Sequence, residues 1–191
     1  MSNIKTVMLG KVEVGSGAPK VIVPIVGKTR EDIVAKGKEL TQYTMDVVEW
    51  RVDFYDDVFD IPQVVETGRQ LRATLNDTPI LFTFRTKKEG GEKEITMDAY
   101  TALNKAMAES GYVDAIDVEI FSGDDVVRKN IANIHAAGIP VVGSNHDFFK
   151  TPAKADLLSR LCKMQDIGAD IPKIAVMPQS KSDVIVLLDA T

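Results

Sequence analysis

Met45-Asp46-Val47-Val48-Glu49-Trp50-Arg51-Val52-Asp53 is a short β-branched and apolar run, and after a polar connection it gives way to Pro62 to Leu75, a longer segment with helical spacing of its apolar residues. The two together read as one βα unit. The same alternation runs from Val21 to Leu188. Further strand candidates are Val21 to Val26, Pro79 to Arg85, Val113 to Phe121, Pro140 to Asp147 and Pro172 to Met177. Helix candidates are Glu31 to Gln42, Met97 to Glu109, Asp125 to Ala137, Ala153 to Ile167 and a last one beginning near Ser182. Thr29 or Thr151 ahead of helices, and Gly138 or Gly168 behind them, are cap signals. Thr6 to Gly15, centred on Gly10, reads as an N-terminal β-hairpin outside the repeat. Six units with no linker or low-complexity stretch predict an α/β fold on a parallel sheet, in one domain over residues 1–191.

The chain has 191 residues, 45% hydrophobic and 27% charged, enough apolar material for one substantial core. A formal net charge of −5 argues against a general nucleic-acid binder, while a local basic pocket could still take an anionic metabolite. The single cysteine, Cys162, excludes an intramolecular disulfide, and its setting in Leu157-Leu158-Ser159-Arg160-Leu161-Cys162 suggests core packing on a helix. Met1-Ser2-Asn3-Ile4-Lys5-Thr6-Val7 has no apolar signal core, and no window approaches a membrane span, so the expected location is the cytoplasm, without a membrane partner. Two histidines and one cysteine at these spacings match no zinc motif, and Val26-Gly27-Lys28-Thr29 after the first strand candidate carries no dinucleotide fingerprint.

In parallel α/β architectures, barrel or open sheet, chemistry gathers at the carboxyl ends of the strands. That rule singles out a short set of polar residues. Lys173 lies within Ile171-Pro172-Lys173-Ile174-Ala175-Val176-Met177-Pro178, where desolvation is expected to lower its pKa and leave some neutral amine to attack a carbonyl. The plainer reading is a lysine that reaches out of the strand end or pairs with a carboxylate. Alternation puts Glu49, Arg51 and Asp53 on one strand face, as ligand-binding groups or as an ion-pair cluster. Arg85, closing Phe82-Thr83-Phe84-Arg85, has the planar fork that suits carboxylate or hydroxyl oxygens. Glu89 follows in a loop that Gly90 and Gly91 would let fold back over the site. Asp117 and Glu119 share a face, either in a direct role or as partners of Arg51 and Arg85. His146, in Ser144-Asn145-His146-Asp147-Phe148, is placed to shuttle a proton, whereas His135 sits in a helix candidate where a surface position is expected.

Taken together, Glu49 to Asp53, Phe82 to Arg85 with Glu89-Gly90-Gly91-Glu92, Ser144 to Phe148 and Ile171 to Ala175 resemble the type I 3-dehydroquinate dehydratases, in order along nearly the whole chain. The resemblance implies a (β/α)8 barrel, a homodimer and a shikimate-pathway reaction, loss of water from 3-dehydroquinate to give 3-dehydroshikimate, with no metal and no cofactor. It implies that Lys173 forms an imine with the substrate ketone, that His146 removes the neighbouring proton and helps the hydroxyl leave, and that Glu89 orients His146. Glu49, Arg51 and Arg85 would bind substrate. It also implies two further βα units, whose loops carry an arginine, a serine and a glutamine, beyond Leu188-Asp189-Ala190-Thr191. Phe149 stands where the resemblance suggests a histidine. Other readings of the same residues are a Schiff-base barrel of the class I aldolase type and an inactive fragment serving as a structural or binding module.

Overall fold

The computed structural model describes residues 5–191, so the reading of Met1 to Ile4 lies outside the described residues. An antiparallel hairpin comes first, β1 (Val7–Leu9) and β2 (Val12–Val14). Six βα units follow: β3 (Ile22–Ile25) and α1 (Arg30–Leu40), β4 (Val47–Arg51) and α2 (Ile61–Leu75), β5 (Ile80–Thr83) and α3 (Met97–Ser110), β6 (Ala115–Glu119) and α4 (Asp124–Ala136), β7 (Val141–Asp147) and α5 (Lys154–Asp166), β8 (Ile171–Val176) and α6 (Lys181–Ala190). The six strands are all parallel and pair in chain order.

Local chemistry sets the helix ends. Thr29 and Ser180 open α1 and α6 with reciprocal capping boxes to Asp32 and Asp183, and Asp60 caps α2 with Pro62 in its first turn. Gly138 and Gly168, just past α4 and α5, take φ of 78° and 108°, the left-handed turn that ends a helix cheaply only at glycine. Thr151 is not a cap; α5 starts behind Ala153, with no side-chain cap bond. Cys162 is also a correction, because α5 buries Leu157 and Met164, seven residues apart, and the intervening turn rotates Cys162 to the exposed side.

Strand alternation divides the apolar residues between two cores. Val48, Trp50, Ile80, Phe82, Ile116, Val118 and Val141 face the helices and join Ile33, Leu71, Met107, Ile134 and Met164 in the larger core. On the opposite face Val47, Leu81, Ala115 and Val142 pack with Leu9 of the hairpin, which covers the amino ends of the strands. A cavity of about 380 Å³ lies here, lined by Leu9, Val47, Leu81 and Val142 and reaching Lys173. Two residues further along each strand the same face turns polar: Glu49, Thr83, Asp117, Ser144 and Lys173.

That face is concave. Lys173 on β8 hydrogen-bonds Glu49 on β4 at 3.0 Å. Four strand spacings of a flat sheet would separate the two backbones by about 19 Å, too far for a lysine and a glutamate to bridge, so the sheet is curled around its polar face.

Candidate active site

The site is built on the carboxyl half of that concave face. Lys173 Nζ donates to Glu49 Oε1 at 3.0 Å and to Asp117 Oδ2 at 3.3 Å. Thr83 Oγ1 donates to the same Glu49 oxygen at 2.9 Å, which fixes that carboxylate against β5. Burial presses the lysine toward its neutral form, but the Asp117 and Glu49 charges outweigh it and hold its pKa above the ordinary value. This reverses the expectation drawn from the apolar neighbours of Lys173 in sequence. Those neighbours flank it along the strand, whereas its amine meets carboxylates contributed by β4 and β6.

Asp117 is wholly buried and central. Its Oδ1 accepts from Ser144 Oγ at 2.6 Å and pairs with Arg85 Nη2 at 3.0 Å. Burial works against this carboxylate, yet the Arg85 and Lys173 charges and the Ser144 hydroxyl together bring its pKa down to about 2. Arg85 Nη1 in turn donates to Glu119 Oε1 and to Ser144 Oγ, both at 3.0 Å. Burial drives the Glu119 pKa up; the Arg85 charge and two Thr86 donors oppose that shift without cancelling it, and the Glu89 charge adds to it. The Thr86 donors are its amide, at 2.8 Å, and its hydroxyl, at 2.7 Å. Arg85 is thus the partner of both acids, while Arg51 forms a bidentate pair with Asp53, at 2.8 Å for each bond. Asp53 does not continue the strand face. It sits in a 3₁₀ turn, Val52–Phe54, fully buried, and also accepts from the Arg85 and Glu92 amides.

Glu89 reaches the site by the fold-back expected of its loop. A 3₁₀ turn, Lys87–Glu89, ends at Gly90 with φ of 83°, and the Gly91 amide closes on Thr86 O at 2.8 Å. A Cβ on Gly91 would stand 1.8 Å from Arg85 O, so the turn needs glycine there. Glu89 is buried, and its Oε2 accepts from the His146 amide at 3.1 Å and lies 2.9 Å from His146 Nδ1. A carboxylate only accepts, so this contact places the proton on Nδ1 and leaves Nε2 for proton transfer. His135 is elsewhere, half-exposed on α4 with its Nε2 2.7 Å from Asp170 Oδ2.

An amine held by two carboxylates and a histidine oriented by a third, on neighbouring strand ends of one concave face, can support nucleophilic addition to a carbonyl with proton transfer nearby. The profile of the type I 3-dehydroquinases matches residues 21–191. The chain belongs to that family. The 3-dehydroquinate dehydratase of Clostridioides difficile (strain 630) is 50% identical over 187 residues, covering 98% of this chain and 73% of that protein. The enzyme of Salmonella agona is 48% identical, covering 98% and 75%. A crystal structure of the type I enzyme from Clostridium difficile, carrying covalently modified comenic acid, superposes with a TM-score of 0.95 at 50% identity over 98% of this chain and 74% of that one.

For a type I 3-dehydroquinase, the sequence-derived residues converge: Lys173, Glu49, Arg85, Glu89 and His146 join one contact network, with Arg51 at its rim on Asp53. Two further parts of that network were not assigned from sequence. Asp117 was read from sequence as a direct site group or a partner of Arg51 and Arg85, and its place as the second carboxylate on Lys173 was not. Ser144, donor to Asp117 and acceptor from Arg85, gave no signal beyond its place two residues before His146.

Proposed function

We infer that this chain dehydrates 3-dehydroquinate to 3-dehydroshikimate, the shikimate-pathway step, through an imine on Lys173. Family membership supports the reaction, and the contact of Lys173 with Glu49 and Asp117 carries the reading of the mechanism. Lys173, once its ammonium has given up a proton, adds to the substrate ketone; that proton leaves with the carbonyl oxygen as water, and the iminium cation that results can be held by the two carboxylates as they hold the ammonium. The iminium draws electrons from the neighbouring carbon. His146 takes the proton there, an enamine forms, and its electron pair expels the hydroxyl on the next carbon, to which His146 returns the proton as water departs. Glu89 keeps the histidine ring in the working tautomer. Hydrolysis of the product imine frees Lys173. Glu49 and Arg51 line the substrate side, and among the described contacts Arg85 keeps its Nε hydrogen and one Nη2 hydrogen for an anionic or hydroxylated ligand.

The family resemblance further implies a homodimer acting in the cytoplasm on a small molecule, without cofactor, metal or nucleic acid. Among the described residues no helix is long and apolar enough to cross a membrane.

Sodium borohydride added with 3-dehydroquinate tests the reading. The expected result is a reduced adduct on Lys173, located by peptide mass. An adduct on Lys87 or Lys88, or none, overturns the lysine assignment.

A further inference from the structure

We propose that Asn145 and Arg160 are positioning residues for the proton-transfer pair, holding Glu89 and thereby His146 from the helix side of the sheet. The proposal rests on the reading of His146 as proton carrier and extends it outward by two residues.

The geometry is a chain of four groups. Arg160, on α5, donates from Nη1 to Asn145 Oδ1 at 3.0 Å. Asn145 Nδ2 donates to Glu89 Oε1 at 3.1 Å. Glu89 Oε2 faces the ring and amide of His146. A guanidinium offers only donors and a carboxylate only acceptors, so one orientation of the Asn145 amide satisfies both ends. With the amide set, both Glu89 oxygens are engaged and the carboxylate cannot rotate away from the imidazole. Arg85 Nη1, 3.8 Å from Glu89 Oε2, stands on the other side. Asn145 and Glu89 are both buried, so an amide turned the wrong way would set its oxygen against the carboxylate with no water to intervene. Asp147 Oδ2 lies 3.8 Å from Arg160 Nη1 and helps keep the guanidinium over β7. In metal sites, the groups that hydrogen-bond a ligating histidine or carboxylate from outside set its orientation, and losing one typically costs about 10- to 100-fold.

The charged groups facing this chain are known from each packed element: Arg85 beyond β5, Glu119 from β6, Asp147 on β7 and Arg160 on α5. None of them is a donor that could replace the Asn145 amide on Glu89 Oε1 without moving.

The test reads the ring directly. In ¹⁵N-labelled protein, His146 should show the Nδ1–H tautomer, and His135, bonded through Nε2 to Asp170, the Nε2–H tautomer. Asn145→Leu and Arg160→Met should move His146 toward a mixture of tautomers while leaving His135 unchanged, and Arg160→Lys should restore much of the parent pattern. Where turnover is measured, kcat should fall about tenfold to a hundredfold with KM little changed, part of the ~10²–10⁴ that a well-placed acid–base group contributes. Borohydride trapping on Lys173 should persist. If Asn145→Leu does not fold, Arg160→Met at its partly exposed site carries the test. An unchanged His146 tautomer in a folded Arg160→Met variant overturns the proposal. Absence of any Lys173 adduct in the parent protein overturns the functional reading instead, so the two fail separately.

Discussion

Lys173 and Glu49 stand 124 residues apart in the chain and 3.0 Å apart in space. Asp117 closes the same amine from β6, so three strands meet at one nitrogen. The Asp117 and Glu49 charges hold the lysine pKa above its ordinary value, and the same two groups would stabilise the cationic imine inferred above.

Glu49→Gln removes one of the two charges that raise the Lys173 pKa. The neutral fraction at a given pH then grows. Modification of Lys173 by an amine-selective acylating reagent, followed by peptide mass across pH, should set in at lower pH in Glu49→Gln than in the parent. Coincident profiles would mean that Glu49 does not hold the ammonium.

Asp117 gives an acid signature. Its pKa, about 2 in the folded chain and ~3.9 unfolded, contributes stability that is complete above the unfolded value and lost as pH falls through the folded one, on the order of 2–3 kcal/mol in all. Glu119, shifted upward, acts with the opposite sign and softens the loss. Urea unfolding between about pH 4 and pH 2 should show a shallower pH slope in Asp117→Asn. Equal slopes would remove Asp117 as the source.

Arg85→Met leaves Asp117 and Glu119 without their shared cation inside the protein. Breaking a buried pair in this way costs about 3–5 kcal/mol. Denaturant unfolding should show a loss of that size, separate from any loss of substrate affinity, and a cost within experimental error would make Arg85 a ligand group with no structural role.

His146→Ala separates addition from elimination. Borohydride should still trap substrate on Lys173, while dehydration falls by ~10²–10⁴. Near-normal turnover would reduce His146 to a structural residue.

Gly91→Ala forces a methyl to within 1.8 Å of Arg85 O, backbone that cannot swing aside. The loop carrying Glu89 must shift, at more than the ~1–3 kcal/mol typical of overpacking. Thermal unfolding and the His146 ring spectrum should both change. An unaltered spectrum would show that Glu89 finds the histidine without this turn.

The repeat was legible because each strand and helix announces itself locally. The six strands and six helices fall within a few residues of their expected places, and the hairpin lies within Thr6 to Gly15. Boundaries slipped where backbone amides leave the ladder for side chains. Pro79 to Arg85 read as one strand, but β5 stops at Thr83 because the next amides serve carboxylates, Arg85 N to Asp53 and Thr86 N to Glu119. Residues at strand ends were legible as polar groups in an apolar setting, and so was the pairing of Asp117 and Glu119 with Arg85. Arg51, expected on the same acids, turns to Asp53 instead, and which carboxylates meet Lys173 could not be read, since pairing across strands depends on register and curl. The pKa of Lys173 had its sign wrong for that reason, Cys162 because an apolar neighbourhood in sequence spans more than one helix face, and Arg160 went unassigned because nothing local ties it to a residue fifteen positions earlier.

Strand order that follows chain order has a consequence in time. Each parallel pairing joins segments one unit apart, so the sheet can grow strand by strand as the chain emerges from the ribosome, with modest loop-closure cost at every step. Glu49 arrives in the second unit and Lys173 in the sixth. A nascent chain can therefore already pair Asp117 and Glu119 with Arg85 while Glu49 waits for the Lys173 ammonium until β8 docks. The last of these pairings, β7 with β8, is the step that brings the Lys173 amine to Glu49 and Asp117.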